Sequence, residues 1–240
     1  MNKSNADAPI PRPKGINETS IPKFSVLKAY RVQACLSEKI IRKDCLPKKI
    51  RLAAGVDVAY FGDLAASAVA VLDYETLELV ETQTAICTSK FPYIPTLFAF
   101  KELPPALACI QKLTSKPDVF LIDGHGIAHP RRCGLASHLG VAIKKPTIGV
   151  AKSRLIGNLE PAYGRVYIVH NGERVGEAVI SKEGCRPLYV SIGNMVSLES
   201  AAKIVRHLTR NNRIPEPILL AHNLAAQQRT KSDYSGEIRR

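Results

Sequence analysis

Apolar positions recur along this chain with two different periods, and the switches between them lay out its elements. Residues 24–42 carry Phe24, Leu27, Val32, Leu36, Ile40 and Ile41 at near-helical spacing, which predicts a helix that Ser25 is placed to cap. Pro47 ends that region, and from Ile50 the pattern is β. Strands are predicted over 50–60, 67–74 and 77–87, with turns at Gly62-Asp63 and Glu75-Thr76. Connections this short join antiparallel neighbours, so the three form a meander. A helix over 97–102 follows, broken or kinked at Pro104-Pro105 and continued through Leu113. The apolar run 119–123 comes after a helix and can lie parallel to the first strand by a crossover. Then come a helix near 132–142, a strand over 147–151, a hairpin over 165–180 turning at Asn171-Gly172, and a strand over 188–192. A helix over 198–209 with Ser197 as its N-cap and a last helix ending near 230 complete the series. The fold class is therefore α/β: a mixed sheet, antiparallel meander plus parallel strands, flanked by helices.

Composition narrows this picture. A chain of 240 residues with 45% hydrophobic content holds one large domain plus tails. Residues 1–22, rich in Pro, Asn, Ser and Lys, are expected to be a disordered basic extension, 23–232 the catalytic domain, and 233–240 a frayed basic tail. No apolar run nears the roughly 20 residues that span a bilayer. The amino terminus lacks the apolar core of a signal peptide, so a cytoplasmic monomer is expected. Six cysteines with no Cys-x-x-Cys spacing read as free thiols in a reducing compartment. The net charge is +13, and residues 1–51 alone hold twelve Lys/Arg against four Asp/Glu. That asymmetry suits a partner with a phosphate backbone. An anionic membrane suits it less, because the basic segment has no strong apolar face.

Candidate chemistry lies where carboxylates interrupt apolar segments. Asp57 sits mid-strand in Gly-Val-Asp-Val-Ala, sharing one strand face with Gly55 and Ala59. Asp123 ends the fourth strand, and Glu102 ends a helix able to pack near both. A strand-borne acid is costly to bury unpaired, so it needs either an arginine from elsewhere or a cation. Two acids on neighbouring strands beside a basic loop favour a hard cation, Mg²⁺ with Mn²⁺ able to substitute. Such a metal serves phosphodiester hydrolysis, and Lys152, just past the fifth strand, can hold a phosphate there. Zinc at His125 and His129 is disfavoured, because Gly126 and Pro130 break the helix their spacing would need. Tyr93, stiffened by Pro92 and Pro95, is either a packed loop residue or a wedge for an unstacked base.

Four stretches carry a resemblance: Gly55-Val56-Asp57, Pro92-Tyr93-Ile94-Pro95 with Glu102 downstream, the run from Asp123 through Gly140, and Thr147-Ile-Gly-Val-Ala-Lys152-Ser. Together they resemble the endonuclease V (deoxyinosine 3′-endonuclease) family over about residues 25–230. The resemblance implies a ribonuclease-H-like fold and a metal-dependent DNA repair endonuclease. Such an enzyme cuts the second phosphodiester bond on the 3′ side of deoxyinosine, leaving 3′-hydroxyl and 5′-phosphate. It implies that Asp57 and Asp123 bind metal with help from Glu102, that Lys152 assists at the phosphate, and that Tyr93 fills the gap left by the flipped base. Gly124, Gly134 and His129 would line the base pocket. The sequence departs from the family in three places: Asn194 stands where an active-site histidine is usual, Thr96 where the wedge motif has Gly, and His222 where the last helix region has Asp. Two alternatives follow, an endoribonuclease acting on inosine in RNA, and an inosine-binding protein that cuts weakly or not at all because of Asn194.

Overall fold

The computed structural model describes residues 25–89, 91–182 and 184–237. The expected extension 1–22 and the last three residues of the tail lie outside that range. Among the described residues, nine strands form one sheet in the order β3-β2-β1-β4-β5-β9-β8-β7-β6. β1 (Leu52–Phe61), β2 (Leu64–Asp73) and β3 (Leu79–Thr88) are the antiparallel meander. β4 (Val119–Asp123) lies parallel to β1, and β5 (Thr147–Ala151) parallel to β4. β9 (Leu188–Asn194) returns antiparallel to β5, followed outward by β8 (Glu173–Val179), β7 (Arg165–His170) and β6 (Asn158–Ala162). The mixed α/β sheet matches the sequence pattern except for β6. That edge strand is mostly exposed and contains Pro161, so it shows no apolar alternation. The hairpin turn is where Asn171 and Gly172 put it, both with positive φ (55° and 74°).

Helices cover the two faces. α2 (Phe98–Ile110) and α3 (Leu135–Ile143) pack with Ala54, Val56, Val69, Phe120 and Ile122. α2 runs without a break through Pro104 and Pro105. Burial of Ala99, Ala106 and Cys109 against the sheet holds it together despite the missing backbone donors. α4 (Leu198–His207) and α5 (Glu216–Glu237) cover the other face. α5 continues through residues expected to fray. α1 (Val26–Ser37) is shorter than its periodicity suggests, starts at the Ser25 cap, and lies over the loop before α2. Among the described residues, no helix is long and apolar enough to cross a membrane. All six cysteines are free.

Small side chains decide how close α5 comes. Ala68, Ala70 and Leu72 of β2 pack on Ala221 and Ala225. A Cβ on Gly55 would lie 2.1 Å from the Pro217 carbonyl carbon, so only glycine fits beneath the start of the helix. The space above Asp57 is thus filled by α5, which brings a side chain of its own.

Candidate active site

The last parallel pair between β1 and β4 is Val56–Ile122, and one residue further lie Asp57 and Asp123. The two carboxylates therefore stand side by side where the strands diverge, as open α/β sheets arrange their sites. His222 of α5 joins them, with Nδ1 2.7 Å from Asp57 Oδ2. Ligand atoms of Asp57, Asp123 and His222 all lie within 4.8 Å of one another. Asp57 Oδ1 also accepts the Val58 N–H at 2.8 Å. Lys152, arriving from β5, donates Nζ to Asp123 Oδ2 at 2.6 Å.

Glu102 reaches the cluster from α2 and is 6% exposed. Burial raises its pKa well above the ordinary glutamate value, and the charges of Asp57 and Asp123 add to the rise. Asp57 is raised for the same reasons, burial first and Asp123 second, partly offset by His222 and the Val58 N–H. Among the described residues, three carboxyls thus share one corner, offset by the Lys152 ammonium on Asp123, the His222 imidazole on Asp57 and the more distant charge of Lys101 on Glu102. Oxygen donors from two acids, an imidazole nitrogen and a surplus of negative charge form a donor set that fits a divalent cation. The sequence reading gave His222 no role. Its signal is topological: Gly55 and the alanines of β2 require a closely packed helix, and His222 is the polar residue that helix sets over Asp57.

Beside the carboxylates opens a cavity of about 450 Å³, walled by Tyr93, Thr96, Phe98, Glu102, Asp123, Gly124, His125, His129, Gly134 and Lys152 among others. Most residues assigned to metal, phosphate and base thus meet here. Tyr93 projects from the loop, 70% exposed, with its ring edge-on to Phe98 at 5.8 Å. Its neighbour Ile94 is buried with Leu97 and Ala29 beneath α1, which anchors the loop. Gly124 leaves open wall, since a Cβ there would meet only Leu135 at 3.5 Å. Gly134 is a close crossing, since a Cβ would lie 2.3 Å from the His125 carbonyl oxygen.

His129 is 3% exposed, and its pKa is pushed down to about 3 by burial and by Arg131. The ring is therefore neutral at physiological pH. Nε2 donates to the Thr96 carbonyl at 3.0 Å, and Nδ1 accepts the Arg131 N–H at 3.2 Å. With both nitrogens occupied, His129 offers the cavity its ring surface and holds the loop in place. His125 likewise spends Nε2 on the Ser153 carbonyl at 3.0 Å.

Asn194 is not in this site. Asp123 pairs with Val150, whereas Asn194 pairs with Thr147 at the opposite end of β5. Because β9 runs antiparallel to β5, it brings Tyr189, not residue 194, to the carboxylate end. The Asn194 amide is 3% exposed, accepts from the Ile41 N–H at 2.9 Å and donates to the Gly140 carbonyl at 3.1 Å. It ties together the chain after α1, α3 and β9.

The chain is similar in sequence and fold to known proteins. The Endonuclease V family profile matches residues 34–223. An Endonuclease V of Thermofilum pendens is 43% identical over 201 residues, 83% of this chain and 87% of the relative. The crystal structure of the Endonuclease V of Streptomyces avermitilis superposes with a TM-score of 0.80 at 36% identity, covering 87% of this chain and 95% of that one. That of Ciona intestinalis, in complex with a DNA containing an inosine followed by a ribo-adenosine, superposes with a TM-score of 0.78 at 34% identity, covering 86% and 98%. The ribonuclease-H-like sheet, the site at its strand ends and these matches have one reading: the chain belongs to the endonuclease V family and is a nuclease.

Proposed function

We propose that this nuclease hydrolyses a strand beside inosine, at the second phosphodiester bond on its 3′ side, with a divalent cation as cofactor. The observation that carries the reading is the carboxylate–imidazole cluster of Asp57, Asp123 and His222 opening onto a cavity with a proline-stiffened tyrosine at its rim. The complex of the Ciona relative with inosine-containing DNA supports the choice of base. DNA repair is the setting such a substrate implies.

Asp57, Asp123 and His222 would hold Mg²⁺ or Mn²⁺, with Glu102 contributing once the cation's charge favours its ionised form. When bound, the cation supplies charge stabilisation for the phosphorane-like transition state and an acidic site for water. The Lys152 ammonium lies beside the same phosphate position and offsets charge developing on its oxygens. Water adds to phosphorus and the O3′ leaves, giving 3′-hydroxyl and 5′-phosphate ends. Tyr93 enters the stack where the inosine has turned out, and its hypoxanthine enters the cavity walled by Gly124, His129 and Gly134. The binding-only alternative loses its basis, since Asn194 is remote from the cluster.

The test is cleavage of matched DNA and RNA strands carrying inosine or adenine, in Mg²⁺ or Mn²⁺, by wild type and Asp123→Ala. Inosine-dependent cutting that Asp123→Ala abolishes supports the reading. Cutting confined to RNA moves the substrate to RNA. Cutting that persists in Asp123→Ala overturns the metal assignment.

A further inference from the structure

Thr96 occupies a backbone conformation that threonine rarely adopts. Its φ is 68°, in the left-handed region, where a β-branched side chain crowds its own backbone. Such a residue persists only where its surroundings hold it. Here they do so on its hydroxyl and its carbonyl. Thr96 Oγ1 accepts a hydrogen bond from Arg131 Nη2. The Thr96 carbonyl receives Gln33 Nε2 at 2.8 Å, His129 Nε2 at 3.0 Å and, at 3.4 Å, the same Arg131 Nη2.

The donors are themselves locked. Gln33 is fully buried, and its Oε1 accepts from Arg131 Nε at 2.6 Å while its Nε2 also donates to the Cys133 carbonyl at 3.2 Å. The Arg131 guanidinium lies over the Tyr30 ring, 3.8 Å from its centroid. Tyr30 and Gln33 are three residues apart on α1 and so face the same way. A helix more than fifty residues away in sequence thus forms the back of a bracket. That bracket joins the loop bearing Tyr93 to the loop bearing His129. Thr96, Tyr93 and His129 all wall the cavity beside the carboxylates.

We infer that Thr96, through Arg131 and Gln33, is a positioning residue that clamps the Tyr93 loop at a fixed distance from the pocket wall and thereby sets the preference for inosine over adenine. The inference rests on the proposed function for its substrate. Glycine at this position would relieve the backbone and keep the bonds to the carbonyl, but it would lose the hydroxyl's bond to Arg131 and open more conformations to the loop. Threonine holds one conformation and supplies the hydroxyl that keeps it. Hypoxanthine and adenine share nearly the same outline and differ in the hydrogen-bonding groups at C6 and N1, so telling them apart requires wall groups held in fixed places, which a clamped loop supplies.

The test separates loop motion from chemistry. The chain has no tryptophan, so Tyr93→Trp places a single reporter on the loop. Its fluorescence anisotropy decay is measured with Thr96, Thr96→Ser, Thr96→Val and Thr96→Gly. In chains that keep Tyr93, the ratio of kcat/KM on inosine strands to that on adenine strands is measured for the same variants. Thermal melts establish that each variant is folded. Thr96→Val and Thr96→Gly are expected to show a fast loop motion and a preference for inosine reduced roughly tenfold, the scale of one hydrogen bond to a charged group. Thr96→Ser is expected to restore both. A folded Thr96→Val with wild-type loop motion overturns the clamp. Faster motion with an unchanged preference overturns its role in specificity. A wild type that cuts inosine and adenine strands equally overturns the substrate reading, while the anisotropy still decides whether Thr96 holds the loop.

Discussion

Glu177 and Asp57 are both acids set into strands of the same sheet, and they are handled in opposite ways. Glu177 is fully buried, and two arginines neutralise it: Arg206 of α4 bonds one carboxylate oxygen, and Arg165 lies 3.9 Å from the other. Among the described residues, no arginine pairs with Asp57. Its neighbours are two more carboxyls, one imidazole and one N–H. A buried acid matched by guanidinium charge is part of the architecture. Acids gathered without enough cationic charge are held together only by the fold, and they suit a ligand that supplies the missing charge.

Removing an acid is therefore expected to act in opposite directions in the two regions. Asp123→Asn should lower single-turnover cleavage by about a thousandfold or more, while the metal-free protein melts at the same temperature or higher because repulsion is relieved. Glu177→Gln leaves two arginines facing a neutral amide and should cost roughly 1–2 kcal/mol of stability, because both guanidiniums are more than a third exposed, with cleavage per folded molecule within about twofold of wild type. Thermal melts beside cleavage rates decide the matter. Equal stability losses in the two variants would erase the distinction.

A buried base extends the comparison to pH. Burial and Arg131 depress His129 to about 3 in the folded protein, whereas an unfolded histidine titrates near 6.5. The folded state therefore binds fewer protons. Its stability is complete above the unfolded value and declines as pH falls from there toward the folded one. Between pH 6.5 and 5 the loss from this group is about 2 kcal/mol. His138, pushed to about 4 by burial, contributes in the same window. His129→Gln removes only the first share and should flatten the pH dependence of denaturant midpoints by that amount. A profile parallel to wild type would mean that His129 titrates normally.

Divalent metal should act on one region alone. At ten times its dissociation constant, Mg²⁺ is expected to raise wild-type stability by about 1.4 kcal/mol. Glu177→Gln should gain as much and Asp57→Asn little, as followed by melting during Mg²⁺ titration. An equal gain in Asp57→Asn would move the cation elsewhere.

How much of this was legible before the coordinates follows from where each signal resides. Asp57, Asp123 and Lys152 stand in or just after apolar runs that pattern alone identifies as strands, and a parallel register then puts them together. Gly134 and His129 sit in a loop whose composition already suggested a site. His222 stood out as a departure from the family pattern but without a role, because its helix gives no sign of which strand it will cover; that is set by Gly55 and by alanines some 150 residues earlier. Gln33 was hidden because a lone glutamine on a helix looks like a solvated position. Its burial depends on Arg131 and Thr96, which no periodicity connects to it.

Asn194 gives little expected effect on cleavage and the clearest separation of the two ends of the sheet. A motif comparison places a catalytic histidine there, whereas strand direction places the residue at the far end of β5 from Asp123. Its amide joins the Ile41 N–H to the Gly140 carbonyl, so Asn194→Ala leaves the Ile41 N–H unpaired, while the carbonyl keeps the Lys144 and Lys145 N–H groups. The expected cost is about 1–3 kcal/mol, read from denaturant midpoints. Cleavage per folded molecule should stay within about twofold of wild type, because the carboxylate cluster loses no contact. Asn194→His should bring no gain in cutting. A Cβ on Gly140 would lie 2.7 Å from the Asn194 Cβ, so this corner has little room for an imidazole, and the variant should melt lower than wild type. A tenfold rise in cleavage by Asn194→His would join the two ends after all, and would require coupling along β5 that the fixed geometry does not contain.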